Sequence, residues 1–210
     1  MGTKKREGLT QFHRDNMIMA ARRLFEEKGI TATTVDDIAK EADYSKSTLY
    51  VYFKNKDEIL NTILYEQMNL LKEILEEGIK DFKDFKSCYL SICRKLVRYQ
   101  EQYPVYYEEM LNEIKITSKD IEERNILYKI YESGEEINDL VKMLLQKGIE
   151  GGFIRDDIDL LPTVLYLWSG ISETIRFANK KRGYLEMILN MKAMEYMEYG
   201  FMMLLKSITR

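Results

Sequence analysis

One histidine, one tryptophan, two cysteines and two prolines are all that this chain of 210 residues has of those types. With His13 alone, no Cys/His cluster of zinc-binding type can form, and acid–base chemistry on paired histidines is excluded. The paired Glu-x-x-His motifs of di-iron bundles are excluded for the same reason. Cys88 and Cys93 fall about 140° apart around a helix axis, so two reduced, partly buried thiols are expected rather than a disulfide. Scarce proline and eleven glycines leave long stretches without a helix breaker, and the fold class reads as all-α. No apolar run approaches the roughly 18 residues of a membrane helix, and no signal-peptide stretch follows the basic start. Met1-Gly2 opens no myristoylation motif, because Arg6 stands where Ser or Thr is required. Walker, dinucleotide and nucleophile-elbow motifs are missing as well. The expectation is a cytoplasmic protein that is not an enzyme, with no metal, cofactor or membrane partner.

What is present is a charged chain, 32 % Asp, Glu, Lys and Arg, with 45 % hydrophobic residues, enough for an ordered core. The net charge of −3 hides an asymmetry. Residues 1–56 hold eleven Lys/Arg against eight Asp/Glu, whereas residues 57–210 hold twenty-one against twenty-seven. A basic amino-terminal module on an acidic body is expected where one end meets phosphate.

Residues 1–9 are polar and aperiodic and read as a flexible arm. Its Lys4-Lys5-Arg6 is either a solubilising tail or a minor-groove contact. Met17, Ala21, Leu24 and Phe25 then mark one face of a helix from about Thr10 to Lys28, which Gly29 stops. Thr34, with Asp37 three residues on, predicts a capping box. Val35, Ile38, Ala39 and Ala42 form the inward face of the helix that follows. A tight turn at Asp43-Tyr44 leads to a second capped segment, Ser45 to Phe53. Two short helices joined by such a turn, after a longer supporting helix, form a helix-turn-helix.

With Leu49 facing the core and about 100° per residue, Phe53 and Ser45 fall inward, Lys46 and Tyr52 flank them, and Ser47, Thr48, Tyr50 and Val51 face out. That outward surface has no acidic residue. Hydroxyls and a lysine can read base edges, Val51 can meet a thymine methyl, and tyrosines can donate to phosphate. The same face also fits an ordinary solvated helix.

The span from Arg14 to Lys56 resembles the DNA-binding domain of the TetR family of bacterial transcription regulators. The matching segments are Ala20 to Gly29 (AARRLFEEKG), Thr33 to Ala39 (TTVDDIA) and Ser45 to Lys56 (SKSTLYVYFKNK). The departure is Asp43, where the family usually has glycine. Asp tolerates the left-handed conformation, so the turn is expected to survive. The resemblance implies that Lys46, Ser47, Thr48 and Val51 face bases, and that Thr34, Tyr50, Tyr52 and Lys56 hold the phosphate backbone.

Residues 57–210 read as a helical effector-binding and dimerisation domain. It opens with a helix over 57–80, followed by helices near 84–101, 104–115, 119–147, 160–178 and 184–207. The last two are apolar over too wide an arc for one core-facing stripe, so a second chain is expected to bury the remainder as a four-helix bundle. A two-fold homodimer implies a near-palindromic double-stranded DNA site, with half-sites about 34 Å apart. The resemblance implies a pocket for a small apolar or amphipathic effector; Tyr103, Met110, Tyr128, Tyr131, Met143, Trp168 and Ile171 are the candidates for lining it, and the same side chains also fit a packed core. The reading that follows is a ligand-responsive repressor. An interaction module that dimerises through its last two helices and answers to another protein, or to no small molecule, stays open as the alternative.

Overall fold

The computed structural model describes residues 2–80 and 82–210, with side chains from Arg6 onward. Eleven helices run through these residues: α1 (Gly2–Lys28), α2 (Val35–Glu41), α3 (Lys46–Tyr52), α4 (Lys56–Lys80), α5 (Phe85–Gln102), α6 (Pro104–Met110), α7 (Ser118–Glu123), α8 (Ile126–Glu150), α9 (Leu160–Lys180), α10 (Arg182–Leu189) and α11 (Ala193–Ile208). The fold is all-α, a small amino-terminal helix cluster followed by a larger helical bundle. The one extended pairing among the described residues is an isolated bridge between Ile154 and Thr209.

By packing, the chain divides into two compact units. One comprises Met1–Asn69 with Pro104–Ser133, the other Leu70–Tyr103 with Gly134–Arg210. In this division, α6 and α7 belong with the amino-terminal helices. Aromatic side chains account for it. Tyr106 is sealed in the first unit with the Arg22 guanidinium 5.6 Å from its ring centre, and Lys129 at the start of α8 lies over Tyr65 at 6.0 Å.

Helix α1 begins earlier than the hydrophobic pattern predicts. Residues 2–9 are helical rather than an arm, while Met1 and the side chains of Lys4 and Lys5 lie outside the described residues. Residues 6–12 are exposed, so this end buries no stripe and carries no period, although Lys, Arg, Glu and Leu are good helix formers. Where α1 does bury a face, Met17, Ala21 and Phe25 are fully inaccessible, as their spacing requires. Gly29 ends it at φ +84°, a left-handed conformation that costs glycine nothing, and its N–H donates to the Phe25 carbonyl at 3.0 Å.

The second unit is built on α5, α8, α9 and α11. The continuous helix expected over 184–207 is instead two, α10 and α11, separated where Asn190 takes φ +49°. Asparagine is one of the few residues that enters this conformation readily, so the break has a local cause. Its N–H caps α10 on the Glu186 carbonyl at 3.1 Å. Cys88 and Cys93 are buried free thiols on α5, and burial pushes the Cys93 thiol up to about 12.

Candidate nucleic-acid interface and effector cavity

Two caps set the helix-turn-helix. Thr34 receives the Asp37 N–H at 3.1 Å, while the Asp37 carboxylate takes the Thr34 N–H at 2.8 Å and its hydroxyl at 2.7 Å. This is the expected capping box. Lys28 adds an ion pair to the same carboxylate at 2.7 Å. Hydrogen bonds from Lys28 and Thr34 hold the Asp37 carboxyl well below the usual carboxylate range. The turn then passes through Asp43 at φ +61°, the left-handed conformation anticipated for it.

Ser45 caps α3 by accepting the Thr48 N–H at 3.1 Å. It is exposed rather than inward, because a cap residue stands outside the helix and the 100° spacing does not extend to it. Its hydroxyl also bonds those of Ser47 at 2.8 Å and Thr48 at 2.7 Å. Leu49 and Phe53 are buried, which fixes the rotation of α3. Tyr50 and Val51 project outward, 49 % and 77 % exposed, and Ser47 is exposed beside them. Thr48 and Tyr52 are half-buried.

A separate set of contacts ties this face to α1. The His13 ring and the Tyr44 hydroxyl hydrogen-bond at 2.7 Å, and the His13 and Tyr52 rings lie 5.7 Å apart. Arg14 donates to the Tyr52 carbonyl and stacks over Phe53 at 4.1 Å.

Lys46 and Lys56 have partners that sequence reasoning did not foresee. Lys46 Nζ pairs with Asp36 Oδ2 on α2 at 2.8 Å, and this hydrogen bond raises the lysine pKa. Lys56 Nζ donates to the carbonyls of Ile30 at 2.7 Å and Thr33 at 2.8 Å, tying α4 to the α1–α2 loop. An ammonium has three donors, so each keeps capacity toward a further acceptor. The arrangement offers a polyanion two phenols, a hydroxyl cluster, two lysines and the unpaired N–H groups at the starts of α2 and α3.

The second unit contains an apolar cavity of about 40 Å³ between α5, α8, α9 and the end of α4. Phe85, Tyr89, Leu144, Leu145, Leu167 and Trp168 are among its walls. Of the seven expected pocket residues, Trp168 and Ile171 line it. Tyr103 packs against Tyr99, with ring centres 5.3 Å apart. Met143 is exposed, since Val141, Leu144 and Leu145 take the inward face of α8. Met110, Tyr128 and Tyr131 belong to the other compact unit, where Tyr131 is exposed. The missed wall residues Phe85, Tyr89, Ile92 and Leu96 recur at i, i+4, i+7 and i+11, a stripe that the sequence displays. Residue type was the weaker guide; periodicity was the stronger.

Among the described residues, no group of three or more His, Cys, Asp or Glu side chains is placed to hold a metal ion. No helix among them is long and apolar enough to cross a membrane.

Fold and site define a helix-turn-helix DNA-binding protein with a separate helical body. Residues 18–63 match the model of the bacterial regulatory proteins of the tetR family. The chain is 26 % identical over 159 residues to the fatty acid metabolism regulator protein of Bacillus subtilis, covering 76 % of this chain and 79 % of that protein. It is 24 % identical over 152 residues to the transcriptional repressor KstR2 of Mycolicibacterium smegmatis, covering 70 % of each. In fold it is similar to FadR of Bacillus subtilis solved in complex with stearoyl-CoA, with TM-score 0.68, 22 % identity, and coverage of 92 % of this chain and 98 % of that one. Over residues 18–63 the chain is of the TetR-family DNA-binding type. In its helix-turn-helix and its helical body it resembles DNA-binding regulators of that family.

Proposed function

We propose that the protein is a repressor that binds a near-palindromic duplex as a homodimer and leaves it when an apolar or amphipathic effector enters the second unit. The observation that carries the DNA-binding half is the rotation of α3. Burial of Leu49 and Phe53 turns Ser47, Tyr50 and Val51 outward on a helix with no carboxylate of its own. Lys46, Ser47, Thr48 and Val51 meet base edges, and Tyr50 and Tyr52 meet phosphates. The Thr34 hydroxyl gives its hydrogen to Asp37, which leaves the backbone N–H groups at the start of α2 to take a phosphate beside it. Lys56 contributes its charge and its remaining donor.

The homodimer forms through the outer face of α9, α10 and α11. Leu165, Met187, Ile188, Tyr199 and Met203 are each between 47 % and 74 % exposed there. Exposed apolar side chains in such number on three successive helices are the mark of a partner surface.

The effector is accepted at the cavity walled by Trp168. Its present volume is far below the roughly 300–1,000 Å³ of small-molecule sites, so occupation requires α5, α8 and α9 to separate. Because α4 lends Leu75 and Ile79 to the wall and starts at Lys56, displacement of its far end is carried along one continuous helix. The shift cannot exceed the effector's differential affinity for the two arrangements. The stearoyl-CoA held by the Bacillus subtilis protein makes a long acyl chain the first effector to test.

The test is fluorescence anisotropy against duplexes tiling the DNA upstream of the gene, at two salt concentrations. One palindromic segment should bind tightly and weaken steeply with salt. Stearoyl-CoA should then release it while changing the emission of Trp168, the only tryptophan in the chain. Equal weak binding to every duplex would refute the repressor reading and favour an interaction module.

A further inference from the structure

We propose that Asp36 is a specificity-determining residue of the DNA-reading surface, holding Lys46 as a directed base reader and withholding its charge from the phosphate backbone. The inference rests on the DNA-binding role proposed for α3.

Two carboxylates occupy the first turn of α2, and they do different things. Asp37 completes the capping box and pairs with Lys28. Asp36 has no part in the cap, is 63 % exposed at its side chain, and meets Lys46 at 2.8 Å. The described residues give it no other ion-pair partner. Lys46 is in turn the only charged residue of α3, whose sequence is KSTLYVY. On a surface that must approach a polyanion, an exposed carboxylate opposes binding, so its effect on the adjacent lysine is the informative feature.

A lysine already paired to a carboxylate displaces little counterion when it nears phosphate, because the pair carries no net charge. It also gains little from wandering along the backbone, since leaving Asp36 exposes that carboxylate to the duplex. One of its three N–H groups is committed to Asp36, and the other two remain. Held at the amino end of α3, they suit the adjacent O6 and N7 acceptors of guanine in the major groove. Asp36 thereby suppresses the sequence-independent contribution of Lys46 and keeps its directional one.

Asp36→Asn preserves shape and removes the charge. In the full-length chain, with circular dichroism confirming the fold, affinity for unrelated duplexes should rise about three- to tenfold. The slope of log K against log salt should steepen by about 1.8, as expected for one more phosphate neutralised by each protomer of the dimer. Selection from a randomised duplex pool should show a weakened base preference at one position in each half-site, with the others unchanged. The controls are Lys46→Ala and the double variant. In the Lys46→Ala background, Asp36→Asn should change neither the salt slope nor the base preference.

If Asp36 only repels DNA, affinity rises equally with and without Lys46 while slope and preference stay fixed, and the proposal is overturned. An unchanged base preference in the single variant overturns it too. Failure of the parent protein to select any sequence would instead strike at the DNA-reading role of α3, and the proposal would fall with it.

Discussion

Tyr106 has a side chain with no access to solvent and a hydroxyl that makes no well-aligned hydrogen bond among the described residues, the Arg22 guanidinium acting on it only weakly. Burial pushes its pKa up to about 12. A buried hydroxyl left unmatched costs about 1–3 kcal/mol, whereas a phenylalanine in the same shape has nothing to desolvate. Tyr106→Phe should therefore raise stability by about 1 kcal/mol, read as a higher urea midpoint at constant slope. A fall in the midpoint would mean that the hydroxyl has a partner in solution. Asp37 makes the opposite kind of prediction. Its folded-state pKa is depressed, so its contribution is present above the ordinary carboxylate pKa and is lost as pH falls below about 4. The amino-terminal helices of the parent protein should lose stability over that range. Asp37→Asn should start lower at pH 7 and show a flatter acid profile. Equal slopes in the two proteins would refute the assignment.

At the scale of elements, α9 and α11 approach each other closely in the second unit. Thr174 donates its hydroxyl to the Gly170 carbonyl at 2.7 Å, which pins its rotamer and turns its methyl toward Gly200. A β-carbon at Gly200 would sit 2.6 Å from that methyl. Gly200→Ala gains up to about 1 kcal/mol of helix propensity but must break this contact, at about 1–3 kcal/mol. The net expectation is a loss of about 1 kcal/mol, measured by thermal melting. Thr174→Ala combined with it should restore the loss. These helices also show what a sequence makes legible. α2 and α3 were readable to within a residue because Thr34, Asp37 and Ser45 announce their own caps, and capping is local chemistry. The start of α1 was not readable, since hydrophobic period reports burial and residues 6–12 bury nothing. Nor was the break at Asn190, where one asparagine turns the chain without proline or glycine to mark it. The cavity lay between these cases. Its α5 wall follows a visible stripe, but whether a buried aromatic faces a void or a neighbour depends on packing among four helices distant in sequence.

For the molecule as a whole, the helix-turn-helix alone cannot supply operator affinity. One α3 spans a few base pairs, and in the proposed homodimer tight binding comes from joining two half-sites, where the second contact is made at high effective concentration. Disrupting the proposed dimer should therefore reduce operator binding to the sequence-independent level without touching α3. Leu165 on α9 and Met203 on α11 are 53 % and 47 % exposed in the single chain, and neither lines the apolar cavity. Replacing both with glutamate should leave the helical content and the Trp168 emission of the free protein as they were. Light scattering should then report a monomer near 25 kDa. Operator affinity should fall at least about a hundredfold, toward the sequence-independent level of roughly 10⁻⁴–10⁻⁶ M. Stearoyl-CoA should still change the Trp168 emission, because the cavity is walled within one chain. A dimer that persists in this variant would place the partner surface elsewhere on the molecule. A monomer that keeps full operator affinity would show that each helix-turn-helix reads its site alone, and the palindrome would lose its physical basis.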